Sequence, residues 1–192
     1  GFQVPATDQF TEHNDVLVFN GRRCDRQSYE LIPLVTASAE RLRESLFKAG
    51  VEFVAASVME LSRMRAGIPS VPIEIGPGEL PGEGHLERDA ISFNKGCYLG
   101  QEVVARMHHV GKPQRSLYLL SGTRAVPECP LPLHDDAGKK VGELRTAVAD
   151  GVGWLGVGLL KARFVAVGVP LFSDAGNVNI EREFRQSEAS NQ

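Results

Sequence analysis

The nine residues Asn94-Lys-Gly-Cys-Tyr-Leu-Gly-Gln-Glu102 divide the chain into two stretches of different character. Upstream, apolar residues recurring at helical spacing alternate with short extended runs. Downstream of Gly111 and Pro113 only short extended runs remain, parted by Gly, Asp and Pro. Helices mixed with strands in one half and strands alone in the other predict an α+β protein, its first layer followed by a small antiparallel barrel or sandwich. The boundary falls near Lys112, giving domains 1–112 and 113–192.

Working upstream, Val16 to Phe19 is an apolar run that ends at the turn dipeptide Asn20-Gly21, and Tyr29 to Leu34 is a second extended stretch closed by Pro33. From Ala37 to Ala49 the residues Leu42, Leu46 and Phe47 recur at helical spacing, with Gly50 as the stop. Val51 to Ala55 reads as a strand. Ser57-Val-Met-Glu60 reads as a capping box for a second helix carrying Leu61 and Met64, ended by Gly67 and Pro69. The expected order is therefore β-β-α-β-α. Prolines and glycines exclude a regular element from Ser70 to Gly84, and a loop of that length belongs beside a site. Ile91 to Phe93 reads as a brief strand and Gly100 to His108 as a helix, with Leu99, Val103 and Met107 on its buried stripe. Downstream, strands are expected at Ser116 to Leu120, Val141 to Val148, Trp154 to Leu159, Val169 to Phe172 and Val178 to Glu181.

The 192 residues are 42% hydrophobic, enough for a core without disulfide support. With 21 basic and 24 acidic residues the formal charge is -3, which excludes a global positive field for nucleic acid or an anionic membrane and leaves only a local basic groove. Cys24, Cys97 and Cys129 form no Cys-x-x-Cys pair, so they resemble neither a disulfide framework nor a self-contained metal site, and the compartment expected is a reducing one. His108 and His109 lack further ligands at metal-site spacing and read as surface or interdomain residues. No apolar run is long enough to span a bilayer as a helix.

Cys97 stands just before the expected helix start, where unpaired backbone N–H groups and the positive end of the helix dipole favour a thiolate, and Lys95 adds its charge. Gly96 and Gly100 would let the backbone turn sharply and approach a ligand. Spacing alone leaves two readings open, a reactive thiol and a small buried packing residue. Glu102 and Arg106 are an i,i+4 pair of the ordinary exposed kind. Arg63 and Arg65 read as a solvated helix face, with proximity to the long loop the one local reason to consider an anion role.

The string Lys95, Gly96, Cys97, Tyr98, Gly100, Gln101 and Glu102 resembles the signature of the YgfZ family, Lys-Gly-Cys-aromatic-x-Gly-Gln-Glu. Arg63 with Ala66-Gly-Ile-Pro69, and Tyr29-Glu-Leu31, look like upstream parts of the glycine-cleavage T-protein superfamily. Asp136-Ala-Gly-Lys-Lys-Val-Gly142 and Gly156-Val-Gly-Leu-Leu160 look like that superfamily's C-terminal barrel. The resemblance implies a tetrahydrofolate-binding protein that supports assembly or repair of iron–sulfur clusters in client enzymes, tRNA-modifying enzymes among them, in the cytoplasm or an organellar matrix. It implies Cys97 as the key residue and, from the Pro-x-Glu segment matched by Pro81-Gly-Glu83, a pterin-holding role for Glu83. Gly82 departs from the pattern, since relatives have a larger residue there. Arg63 and Arg106 are further candidates for the folate site. Glu83→Ala is expected to weaken folate binding and leave melting unchanged.

Two other functions compete: a folate-dependent one-carbon (aminomethyl) transferase, for which no poised carboxylate is assigned, and a binding module for a client protein or RNA. The resemblance further implies a domain-sized segment before the point matching Val16 to Phe19. The chain is thus expected to be the C-terminal portion of a longer protein, to bind folate poorly by itself, and to leave apolar surface for self-association through an incomplete folate domain.

Overall fold

A computed structural model of the chain describes residues 5–6, 9–21, 23–24, 27–92, 95–96, 100, 102 and 113–185. Strands β1 (Phe10–His13), β2 (Val16–Asn20) and β3 (Tyr29–Pro33) make an antiparallel sheet in that order. The β1–β2 turn places Asn14 and Asp15 at φ +50° and +61°, the left-handed conformation a two-residue hairpin requires and these residue types tolerate. β1 escapes the sequence reading because Phe-Thr-Glu-His, exposed at three of its four positions, has no alternating apolar pattern.

Helix α1 (Thr36–Lys48) follows as expected, with Gly50 at φ +76° beyond its end. The buried Ser38 hydroxyl lies 2.7 Å from the Val35 carbonyl and 3.1 Å from that of Asp15, fastening the helix start to the hairpin turn. Val51 to Ala55 is not the expected strand. Among the described residues no strand runs beside it to supply a ladder, and all five residues are exposed. Helix α2 (Ala56–Ala66) starts from Ala55 without a side-chain cap, so the capping box expected at Ser57 and Glu60 does not form; Glu60 turns instead to Arg63. Gly67, at φ +73°, closes α2 as a left-handed C-cap. The observed order is β-β-β-α-α. The loop that follows contains one 3-10 turn, Pro81–Gly84, and the four-residue helix α3 (Glu87–Ala90). Ile91 and Ser92 form no strand, and Phe93 lies outside the described residues.

The second half is a closed antiparallel barrel of β4 (Arg115–Gly122), β5 (Leu131–His134), β6 (Lys140–Asp150), β7 (Gly153–Lys161), β8 (Leu171–Ser173) and β9 (Gly176–Glu183), ordered β4-β7-β6-β5-β8-β9. Closure decides between the expected barrel and sandwich. β5 was not anticipated, because prolines at 130 and 132 argue against a strand and are tolerated here in a short one. Side chains alternate along β4: Tyr118 and Leu120 enter the barrel core with Leu144, Trp154, Leu160 and Ile180, while Leu117 and Leu119 face outward. On β7 the positions between Trp154 and Leu160 are Gly156 and Gly158. A Cβ at Gly158 would stand 2.6 Å from Leu120 Cδ1, and one at Gly156 2.8 Å from Leu144 Cδ1, so these glycines make room for the leucines that fill the barrel.

The outward faces of β4 and β7 build a second core. Leu117, Leu119, Leu155, Val157 and Leu159 pack with Met64 of α2, Ile75 of the loop, and Phe184. The loop is thereby seated on the barrel. Ion pairs reinforce the seat: both Asp150 carboxylate oxygens accept from Arg65 Nη2 at 2.8 Å, and Arg145 donates to Glu79 at 2.9 Å. The first layer is covered far less well. Phe10, Phe53, Val58 and Met59 are exposed, and Phe47 is 74% exposed although it belongs to the expected apolar stripe of α1. The proposed boundary at Lys112 falls outside the described residues.

Candidate functional site

Where the loop meets the barrel lies a cavity of about 780 Å³, within the range of small-molecule sites. Its described lining comes from Leu80 and Glu83 of the loop, Pro113 to Arg115 at the start of β4, and Lys161 to Arg163 where β7 runs into a short 3-10 turn. Glu83 is the lining carboxylate, only 5% exposed. Pro81 opens the turn that carries it, and the Leu80 N–H donates to Glu83 Oε2 at 2.9 Å. Arg115 completes the cradle, donating from Nε to Oε1 at 2.8 Å and from Nη2 to Oε2 at 2.9 Å. Fork geometry of this kind fixes the carboxylate plane. The hydrogen bonds it donates to Glu83 raise the Arg115 pKa, so the guanidinium stays charged.

Three bonds occupy part of a carboxylate that offers about four lone-pair sites. What remains on Oε1 is available to a donor inside the cavity. The sequence reading singled out Glu83 through its Pro-x-Glu context but missed Arg115, 32 residues away, because nothing local ties the first residue of a strand to a loop.

Arg63 stands elsewhere. It is 6% exposed rather than on a solvated face, and all its N–H groups are engaged: Nε with Glu60 at 3.1 Å, Nη1 with Glu74 at 2.9 Å and the Ile68 carbonyl at 2.5 Å, and Nη2 with Glu74 and Glu60 at 2.8 Å. Burial works against its charge, yet the bonds to Glu74 and Glu60 outweigh it and raise the pKa. Glu74 is fully buried and also accepts from the Ser70 N–H at 2.7 Å and the Thr146 hydroxyl at 2.5 Å. This network joins α2, loop and β6. Arg63 is not among the described residues lining the cavity. The signal for Glu74 was present: an acid between two isoleucines, in Pro72-Ile-Glu-Ile75.

Of the expected motif, Lys95, Gly96, Gly100 and Glu102 are described and exposed, with Gly100 at φ +87° and Glu102 in a helical conformation; none is among the described residues of the cavity wall. Cys97, Tyr98 and Gln101 lie outside the described residues, as do Arg106, His108 and His109. Cys24 and Cys129 are half-buried, and burial pushes the Cys129 thiol up. Among the described residues no helix is long and apolar enough to cross a membrane.

Taken together, the two-layer start and closed six-stranded barrel define an α+β protein with the fold of the glycine-cleavage aminomethyltransferase T. The crystal structure of that protein from Bartonella henselae matches with a TM-score of 0.74 at 20% identity, covering 95% of this chain and 54% of the other. By sequence the chain is similar to the tRNA-modifying protein YgfZ of Sodalis glossinidius, 38% identical over 81 residues, which is 42% of this chain and 24% of the relative. It is also similar to the mitochondrial iron-sulfur cluster assembly factor IBA57 of Mus musculus, 43% identical over 58 residues, 29% of this chain and 16% of the relative. The chain therefore covers a quarter or less of each of these two relatives. No family model matches.

Proposed function

We propose that this chain is part of a reduced-folate-binding protein that supports assembly or repair of iron–sulfur clusters in client enzymes, including tRNA-modifying ones, in the cytoplasm or an organellar matrix. The observation that carries the ligand is Glu83, a buried carboxylate presented at a cavity wall by Arg115 and the Leu80 N–H. A pterin edge offers an amino group beside a ring N–H, and the lone pair left on Glu83 Oε1 accepts one of these donors. Leu80, Pro113 and Ala162 supply apolar wall for the ring. Reduced folate contributes one-carbon and redox chemistry when bound; the residues described here bind and orient. Similarity to proteins named for tRNA modification and for iron–sulfur cluster assembly supports the cellular role. Cys97, preceded by Lys95 in the matched string, is proposed as the thiol on which that role depends, and 1–112 as the folate-binding portion ahead of the barrel.

The test is genetic and biochemical. Deleting the gene is expected to lower the activity of a set of iron–sulfur enzymes, the wild-type gene to restore it, and Cys97→Ser to fail. Full restoration by Cys97→Ser would remove Cys97 from the proposal, and unchanged iron–sulfur activities on deletion would remove the role itself. The aminomethyltransferase fold keeps one-carbon transfer as the second reading. Formation of methylene-folate from an amine donor by the purified protein would favour it over the accessory role.

A further inference from the structure

The cavity carries an excess of positive charge in a chain of net charge -3. Its described lining holds Arg115, Lys161 and Arg163 against the single carboxylate of Glu83. Arg115 neutralises Glu83 through two hydrogen bonds, which leaves Lys161 and Arg163. Among the described residues neither is ion-paired with a carboxylate: the Lys161 ammonium donates to the Lys140 carbonyl at 3.3 Å, and the Arg163 guanidinium lies 4.5 Å from the centre of the Phe164 ring. The ladder makes the arrangement costlier still. Arg115 and Lys161 are direct cross-strand partners in the β4–β7 register, and like charges placed opposite each other destabilise a sheet. The backbone is fixed there, since the Ala162 N–H donates to the Gln114 carbonyl at 3.0 Å. Glu83 offsets the Arg115 charge, whereas Lys161 and Arg163 have no carboxylate partner among the described residues, and charges left uncompensated at a cavity wall point to a functional position.

We infer that Lys161 and Arg163, with the outer edge of Arg115, form an anion-recognising subsite for the end of the ligand remote from Glu83. The ligand class this selects has hydrogen-bond donors at one end and carboxylate or phosphate at the other. The inference rests on the folate reading above, in which that end is the carboxylate-bearing tail. Lys161 and Arg163 are exposed, so their attraction for an anion is that of surface charges and weakens as salt is raised.

The experiment uses the 192-residue chain and ligand-observed NMR, which reads affinities into the millimolar range. Three probes are titrated: 5-formyltetrahydrofolate, 6-methyltetrahydropterin, which has the ring without the tail, and inorganic tripolyphosphate, which has charge without the ring. The proteins are wild type, Lys161→Gln/Arg163→Gln and Glu83→Gln. The double variant is expected to lose roughly tenfold or more in affinity for the folate and for tripolyphosphate, and nothing for the tailless pterin. Glu83→Gln is expected to weaken both ring-bearing probes and spare tripolyphosphate. Unchanged folate and tripolyphosphate binding in the double variant would overturn the subsite, as would equal losses for folate and tailless pterin. Tripolyphosphate binding that the double variant loses, in a wild type that takes neither ring-bearing probe, would uphold the anion subsite and overturn the folate reading. A wild type that binds none of the three would overturn both.

Discussion

Glu83 is held so tightly by Arg115 and Leu80 that its value to a ligand lies in the lone pair those partners leave free on Oε1. The pairing also changes what its removal does. Glu83→Ala strips a buried acceptor from Arg115 and is expected to cost about 1 to 2 kcal/mol in urea unfolding, kept modest because Arg115 is partly solvated. That differs from the unchanged melting expected from sequence, where Glu83 had no visible partner. Glu83→Gln keeps the shape and is the cleaner probe of ligand binding. Cys97 is expected to react with iodoacetamide faster than Cys24 or Cys129 in the native chain, the last slowed by a thiol pKa that burial raises. Mass-spectrometric labelling rates check this, and equal rates for all three would contradict it. At this scale the sequence disclosed residues whose neighbours along the chain are informative, Glu83 after a proline among them. It did not disclose Arg115, Lys161 and Arg163, which converge only through strand register.

Elements were legible wherever a segment's own pattern matched its surroundings. Most barrel strands have the right apolar period and sit against a partner, α2 packs Met64 onto the barrel, and α1 has the helical period though its stripe is only partly covered. Val51 to Ala55 has strand composition yet no strand beside it among the described residues, and β5 has strand partners but proline-rich composition. Pairing decides such cases, and pairing is a tertiary fact. The seat of α2 and loop on the barrel depends on Glu74, so Glu74→Ala, which leaves the buried Arg63 guanidinium with the partly exposed Glu60 as its remaining counter-charge, is expected to cost about 3 kcal/mol in denaturant unfolding. A loss below 1 kcal/mol, on the scale of an exposed pair, would contradict that assignment. Gly158→Val should also destabilise, by about 1 to 3 kcal/mol or more, since its added carbons meet Leu120 inside the barrel.

A second clasp between loop and barrel is pH-sensitive. His85 Nε2 lies 3.0 Å from the buried Ser116 hydroxyl and 3.2 Å from Glu183 Oε1. Desolvation and then Arg185 lower the His85 pKa, against a smaller pull from Glu87; Glu183 is already paired with Arg185. The native state thus binds the proton less readily than the unfolded chain. Its contribution is fully present above the unfolded histidine pKa of about 6.5 and is lost as pH falls through that value toward the lower native one. Melting temperature should therefore drop between pH 7.5 and pH 5.5, and drop less in His85→Asn, which tolerates the φ of +55° at that position. An identical acid response in the variant would place the sensitivity elsewhere.

The whole molecule joins a well-filled barrel to a thinly covered first layer, where Phe10, Phe47, Phe53 and Val58 remain exposed. These exposed side chains are where self-association is expected. Concentration-dependent association in sedimentation velocity, reduced by Phe47→Glu with Phe53→Glu, is the expected behaviour of the isolated chain. A monomer at every concentration would oppose self-association. The fold class was readable because two halves of opposite periodicity meet at Asn94 to Glu102, whereas the cavity was not, because it is made between loop and barrel by residues as far apart as Leu80 and Arg163. Whether this cavity takes the ring of a reduced folate on Glu83 is read from a crystal structure of the chain with 5-formyltetrahydrofolate at saturating concentration. The pterin amino group or ring N–H is expected within hydrogen-bond distance of Glu83 Oε1, with Arg115 still behind the carboxylate. A folate seated away from Glu83, or a cavity that stays unoccupied at saturation, would contradict it.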